Sequence, residues 1–191
     1  MQRGFRAILF VAAAALFAPG VSRAQAPRKP RIEMLHAEAR GPDVFLRFRL
    51  DGALNPELAT KIEAGLETAI RYDIRLYRHN AHWLWDDRLD TRRYRVAVTY
   101  DPVTREYVVS ETLDGRSLAR STTRDFSEVA RRLVSRETLL LAFRVGADDP
   151  HTNLYLQMRA LFDSGYLFTI IPVDSRTDWK ESNRFDVRSS P

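Results

Sequence analysis

Short stretches of alternating apolar and polar residues run through the chain from Arg31 onward. The first two such stretches, 32–37 and 44–50, are separated by the turn signal Gly41-Pro42-Asp43. Because period-two alternation is typical of strands with one buried face, we predict that they form a hairpin. The residues on the expected apolar sides are Ile32, Met34 and His36, then Val44, Leu46, Phe48 and Leu50.

Seven further strands are predicted downstream. The strongest turn signal is Asp114-Gly115, because a type I′ hairpin turn needs positive φ at both of its central residues. The predicted strands are 72–77, 94–100, 106–112, 117–122, 138–145, 154–162 and 166–173.

Two helices are predicted from capping residues and from apolar residues at helical spacing. The first begins after the N-cap Asn55, and we expect it to end near Arg71. Gly65 lies inside this predicted helix, where it costs about 1 kcal/mol relative to alanine. The second helix opens at Asp125, and Glu128 stands three residues later, as in a capping box.

The order of these elements predicts the fold class. A parallel α/β fold needs a helix between most strands, whereas here most strands follow one another directly. We therefore predict an α+β, mainly β fold: an antiparallel β-sandwich-like domain with eight or nine strands and two short helices. This single domain is expected at 31–181, after a linker at 25–30 and before a flexible polar tail at 182–191.

The first 24 residues have the pattern of a cleavable secretory signal. Two arginines precede twelve uninterrupted apolar residues, 7–18, and Ser22-Arg23-Ala24 supplies small residues before a cut. The alternative is a membrane anchor, but a spanning helix needs roughly 20 apolar residues. We expect export, most simply to the periplasm or otherwise outside the cell, and no transmembrane span after cleavage.

Charge and composition narrow the class of partner. Segment 1–24 holds three arginines and no acid, so its removal lowers the net charge from +5 to +2. A nearly balanced chain argues against a nucleic-acid surface. Without cysteine there is neither a disulfide nor a lipid-carrying thiol, so stability has to come from a packed core.

Motifs for nucleophilic catalysis and for phosphate binding do not occur in the sequence. We find no G-x-S-x-G elbow, no Walker A run and no G-x-G-x-x-G loop. We therefore assign no catalytic residue and no cofactor, and expect that the protein is not an enzyme.

The segment from His79 to Asp90 holds the only cluster of residues in the sequence that could bind a metal or carry out chemistry. Imidazoles and carboxylates are ligands of zinc, so His79, His82 and Asp86 are a weak candidate for a metal site or a metal-dependent hydrolase. The alternative is a solvated loop with local Asp–Arg pairs.

The same segment carries two tryptophans, Trp83 and Trp85. Exposed tryptophan is enriched at interaction hot spots, so both rings, with Asp86, Asp87 and Arg88, form a candidate interaction site. Alternatively, the rings cap an open end of the core. Trp179 is expected to have a structural role.

The chain also resembles a bacterial family of exported proteins known as domain of unknown function 4390, over about residues 32–179. The similar segments are Ile62–Leu66, Tyr72–Arg78, Trp85-Asp86-Asp87 and the hairpin of 94–100 with 106–109. The family has no assigned activity, so the resemblance implies no catalytic residues.

Three functions remain open from the sequence. The first is a non-enzymatic binding module that contacts an envelope protein or a lipid surface around Trp83–Arg88. The second is the metal-dependent function of His79, His82 and Asp86. The third is the binding of a small apolar ligand between the sheets.

Export can be tested on the protein recovered from cells that make it. We expect intact-mass spectrometry and N-terminal sequencing to find a chain that begins at Gln25. A chain in the cytosol that still carries Met1 would contradict export.

Overall fold

The computed structural model describes residues 29–81, 85–146, 152–163 and 176–187. Its elements follow in chain order. They are β1 (Arg31–Arg40), β2 (Asp43–Asp51), α1 (Pro56–Glu63), β3 (Thr68–Arg78), β4 (Asp87–Asp101), β5 (Glu106–Leu113), β6 (Arg116–Thr123), α2 (Phe126–Val134), β7 (Ser135–Arg144), β8 (Leu154–Asp163) and β9 (Lys180–Glu181).

The strands form two antiparallel sheets. The small sheet has the order β1-β2-β7, and the large sheet has the order β6-β5-β4-β3-β8-β9. Neighbouring strands are mostly consecutive in sequence, as antiparallel hairpins require. The predicted α+β, mainly β, sandwich-like fold is therefore confirmed. Among the described residues, neither helix has the length and the apolar character needed to cross a membrane.

The core lies where the two sheets face each other. Phe48 of β2 packs against Tyr72 of β3, with ring centroids 4.5 Å apart, and against Tyr94 of β4 at 6.2 Å. All three side chains are fully buried. Aromatic rings contribute large buried areas and favour such tilted contacts, so this cluster holds the small sheet on the large one.

The face of β1 differs from the prediction. A β-bulge between Ile32 and Met34 shifts the alternation by one residue, so Leu35 and Ala37 are buried. Met34 and His36 are only half-buried. Placing these two residues on the apolar side was wrong, because a bulge reverses every later side chain of the strand. The predicted apolar side of β2 is confirmed.

Helix α1 is shorter than predicted. It begins after Asn55, whose Oδ1 accepts a hydrogen bond from the Leu58 N–H at 2.8 Å, but it ends at Glu63. Gly65 has a φ of +77°, a left-handed conformation that stops the helix. The expected end near Arg71 was wrong because the apolar residues at 69 and 70 belong to β3.

The turn and the cap of the second half are as predicted, apart from one detail. Asp114 and Gly115 have φ values of 50° and 80°, as a type I′ turn requires. Asp125 caps α2 by accepting from the Ser127 N–H at 2.8 Å. Glu128 does not complete a capping box, because the Thr123 hydroxyl accepts from the Asp125 N–H and donates to Glu128.

Residues 182–187 lie along β8. The N–H groups of Leu154 and Phe185 each donate to the carbonyl of the other at 2.9 Å, and Val187 is buried. This part of the predicted flexible tail is therefore tied to the sheet by a backbone pairing that its polar composition concealed. The strand predicted at 166–173 lies outside the described residues.

A buried hydrogen bond joins β3 of the large sheet to α2. The buried Tyr72 hydroxyl donates to the Leu133 carbonyl at 2.6 Å. We expect Tyr72→Phe to lower the free energy of unfolding by about 1–3 kcal/mol, because it leaves a buried carbonyl without a donor. Urea denaturation of the variant measures this loss.

Tyr100→Phe is the matched control. This tyrosine is half-buried, and its hydroxyl makes no hydrogen bond with the described residues. Its substitution should change the free energy of unfolding by less than about 0.5 kcal/mol. Equal losses in both variants would show that the Tyr72 hydroxyl contributes nothing specific.

Candidate interaction site at the start of β4

Trp85 lies two residues before the start of β4, and 76% of its surface is exposed. A ring this exposed does not cap the core. Trp83 and His82 lie outside the described residues, so their part in the predicted site stays a prediction.

Asp86 fixes the chain directly after Trp85. Its carboxylate accepts a hydrogen bond from the Tyr155 hydroxyl at 2.7 Å and one from the Asn80 N–H at 3.1 Å. The Nδ1 atom of His79 lies 3.0 Å from the same carboxylate and donates to it when it carries the proton. Asp86 thereby joins the segment between β3 and β4 to β8.

These contacts change the pKa values of Asp86 and Tyr155. The hydrogen bond from Tyr155, followed by that from Asn80, holds the pKa of Asp86 below its usual value. Burial, together with the bond to the Asp86 carboxylate, raises the pKa of Tyr155. The Tyr155 ring also stacks on Tyr77 of β3, with centroids 5.4 Å apart. The chain next to Trp85 is therefore anchored, through Asp86 and Tyr155, to β8 and β3 of the large sheet.

The neighbouring residues complete an exposed surface. Asp87 forms an ion pair with Arg78 at 2.9 Å, whereas Arg88 has no ion pair or hydrogen bond within the described part of the chain. A bulge leaves Leu89 without an opposing residue on β3, and its side chain is 37% exposed. We call the three exposed residues Trp85, Arg88 and Leu89, which lie within five consecutive positions, the Trp85 surface.

The metal-ligand candidates are only partly described. His79 and Asp86 are adjacent, but through a hydrogen bond, and His82 is outside the described residues. In residues 29–81, 85–146, 152–163 and 176–187, no three histidine or carboxylate side chains converge as metal ligands. The carboxylate of Asp86 is instead engaged by its three hydrogen-bond partners.

A buried ionic cluster between the sheets was not predicted. Glu111 of β5 is only 5% exposed and accepts hydrogen bonds from the Tyr94 hydroxyl, at 2.9 Å, and from Arg136 of β7. Burial, followed by the Glu111 charge, raises the pKa of Tyr94. The alternation Tyr107, Val109, Glu111 already places this carboxylate on the apolar face, which was the available signal. The cluster joins the two sheets, and its Arg136 side chain is partly exposed.

Trp179 lies on the outer face of the large sheet. The guanidinium groups of Arg75 and Arg159 lie 4.1 and 4.5 Å from its ring centre. Arg159 also donates twice to Asp73, at 2.9 and 3.2 Å. These cation–π contacts fix the C-terminal segment on β3 and β8.

A cavity of about 510 Å³ lies where the β5–β6 hairpin meets the middle of β4. Its lining residues are Thr91, Arg93, Asp114 and Gly115. These side chains are polar, and the cavity is at the turn rather than between the sheets. It does not match the predicted site for a small apolar ligand.

Fold and site together describe a domain of two antiparallel sheets with an exposed tryptophan near the start of its longest strand. Residues 28–170 match the family described as a domain of unknown function (DUF4390), and the chain belongs to this family. Neither the curated proteins nor the solved structures contain a match to the chain.

The Asp86 hydrogen bonds predict a pH-dependent stability. The folded state lowers the pKa of Asp86, so its contribution is present above the unfolded value of about 3.9 and is lost as the pH falls through the folded-state pKa. We expect Asp86→Asn to lower the free energy of unfolding by about 1–2 kcal/mol at neutral pH. Urea denaturation at a series of pH values should show this difference shrinking below pH 4 or so.

Asp87→Asn is the control, because the ion pair of Asp87 with Arg78 is largely exposed and should contribute less than about 1 kcal/mol. A loss in Asp86→Asn that stays constant down to pH of about 2 would contradict the assigned role of the charged carboxylate.

Proposed function

We propose that the protein is an exported, non-enzymatic interaction module of the cell envelope that binds a protein partner through the Trp85 surface. The single observation that carries the proposal is that Trp85 is 76% exposed while three hydrogen bonds hold the adjacent Asp86 in place. Export to the periplasm rests on the signal pattern of residues 1–24.

The composition of the patch favours a protein partner. Tryptophan and arginine are the residues that most often dominate binding energy at protein interfaces, and Leu89 adds apolar area beside them. Their backbone is preorganised by the Asp86 contacts, which reduces the entropy lost on binding. A leucine and a tryptophan exposed together cost solvation unless a partner covers them.

A lipid surface fits this patch less well. Two carboxylate residues, Asp86 and Asp87, follow Trp85 directly in the chain, and anionic headgroups repel such charges. Arg78 already pairs with Asp87, and among the described residues of the Trp85 surface Arg88 is the one cation without an ion pair. One free cation is too few for the electrostatic attraction that holds polybasic segments on membranes.

The proposal predicts position-specific crosslinking. With a photoreactive benzoylphenylalanine at position 85, the full-length chain expressed in cells should form a covalent adduct with a discrete protein after irradiation. Mass spectrometry of the adduct identifies the partner. Trp85→Ala should abolish co-purification of that partner while changing the free energy of unfolding by less than about 0.5 kcal/mol.

Position 103 is the matched control, because Val103 is 89% exposed at the turn after β4 but lies at the other end of that strand. An adduct at 85 and none at 103 supports the proposal. Equal adducts at both positions, adducts with lipid alone, or none at 85 would refute it.

A further inference from the structure

Strand β6 is an open edge of the large sheet. It pairs with β5 on one side, and no other described strand pairs with it on the other side. Six of its eight residues are exposed. The outward-facing N–H and C=O groups of such a strand can accept the backbone of another chain.

Two other edges of the sandwich, those at β1 and at β8, are covered by the C-terminal segment. The Asn183 side-chain amide donates to the Ala37 carbonyl at 2.8 Å and accepts from the Ala37 N–H at 2.9 Å, which blocks the middle of β1. Along β8, β9 and the bridges at Arg176 and Phe185 cover the opposite edge of the large sheet. The outer side of β7 in the small sheet is also left unpaired by the described residues, but its two arginines form ion pairs with Glu111 and Asp43. The two edges therefore differ in the charge that they offer to a partner.

The charge of β6 selects the partner. From Arg116 to Arg124 the sequence holds three arginines and no acidic residue. Arg124 pairs with Glu106 at 3.0 Å, but Arg116 and Arg120 have no ion pair or hydrogen bond with any residue that the structure describes. A second copy of β6 would bring these arginines together, and like charges on paired strands are destabilising. An extended segment rich in Asp or Glu would instead place negative charges opposite the arginines of β6.

The regular half of the strand defines where such a segment pairs. A register shift leaves Leu118 without an opposing residue on β5, so undisturbed pairing runs over Ala119–Thr123. Arg132 of α2 donates to the Ser121 hydroxyl at 2.6 Å, which fixes this half on the helix. Arg120 is the second residue of this segment and is exposed.

We propose that β6 binds an extended acidic segment of a partner protein by strand addition along Ala119–Thr123, with Arg120 facing its carboxylates. This site is separate from the Trp85 surface. Ser121 pairs with Val109 of β5, and Val109 pairs with Val98 of β4. Asp87 is eleven residues from Val98 along β4, which corresponds to roughly 35 Å in a strand. The two proposals therefore fail or succeed independently.

A peptide titration tests the proposal on the mature full chain. The probe is a fluorescein-labelled octapeptide of alternating Val and Glu, and binding is followed by fluorescence anisotropy at low ionic strength. Two matched peptides are the same sequence with alternate backbone nitrogens methylated and a Val–Lys version. Hydrogen exchange, read by mass spectrometry, reports on the amides of Ala119–Thr123.

We expect saturable binding of the Glu peptide, slower exchange in Ala119–Thr123, and no saturation with either matched peptide. Arg120→Glu should weaken binding about three- to tenfold, because it replaces an attractive cross-strand pair by a repulsive one. Arg88→Glu is the control variant, since it removes an equally exposed arginine from the Trp85 surface, and it should leave the affinity unchanged.

Three results would overturn the proposal. The Glu peptide fails to saturate, the methylated peptide binds as well as the parent, or Arg88→Glu weakens binding as much as Arg120→Glu. A dimer in sedimentation that Arg120→Glu dissociates would assign the edge to a second copy instead.

Discussion

The contact of Phe48 with Tyr72 and Tyr94 is the interaction on which the rest of the structure depends. It joins the small sheet to the two central strands of the large one, and all three rings are buried. Without cysteine, the chain has only such packing and its hydrogen bonds to hold the sheets together. The ion pair between the buried Glu111 and the partly exposed Arg136 makes a second link, between β5 and β7.

Both proposed surfaces follow from the unequal lengths of the strands around this core. β4 has fifteen residues, but β5 pairs only with its second half, from Tyr94 to Asp101. The first half of β4 therefore extends beyond its pairing with β5, and Trp85 lies near the start of this half. β6 pairs with the other side of β5, at the edge of the large sheet. The core is complete without either surface, so each is available for contact with another molecule.

Local patterns in the sequence predicted most of the strands, because one buried face produces period-two alternation. The Asp114-Gly115 turn and both N-caps were also predictable, since each depends on the chemistry of one or two residues. The face of β1 and the end of α1 were not. A bulge after Ile32 and the left-handed Gly65 are decided by how the chain packs, and alternation alone does not reveal them.

The candidate site could be predicted only as a set of residues. The sequence indicated Trp85 and its acidic neighbours, but the hydrogen bond of Asp86 with Tyr155 joins residues 69 positions apart. The same holds for Asn183 on β1 and for Arg136 on Glu111, whose partners come from distant strands. Such contacts depend on the order of strands in the sheets, which no local pattern contains.

The central claim is that the core is closed without Trp85, whose ring stays in water on a fixed base. Fluorine NMR of the protein labelled with 5-fluorotryptophan, with the Trp85 signal assigned by Trp85→Phe, tests this most directly. The account predicts a large H₂O-to-D₂O isotope shift for Trp85, close to that of the free amino acid, and a line width typical of the folded domain. A small isotope shift, like that of a buried ring, would contradict it.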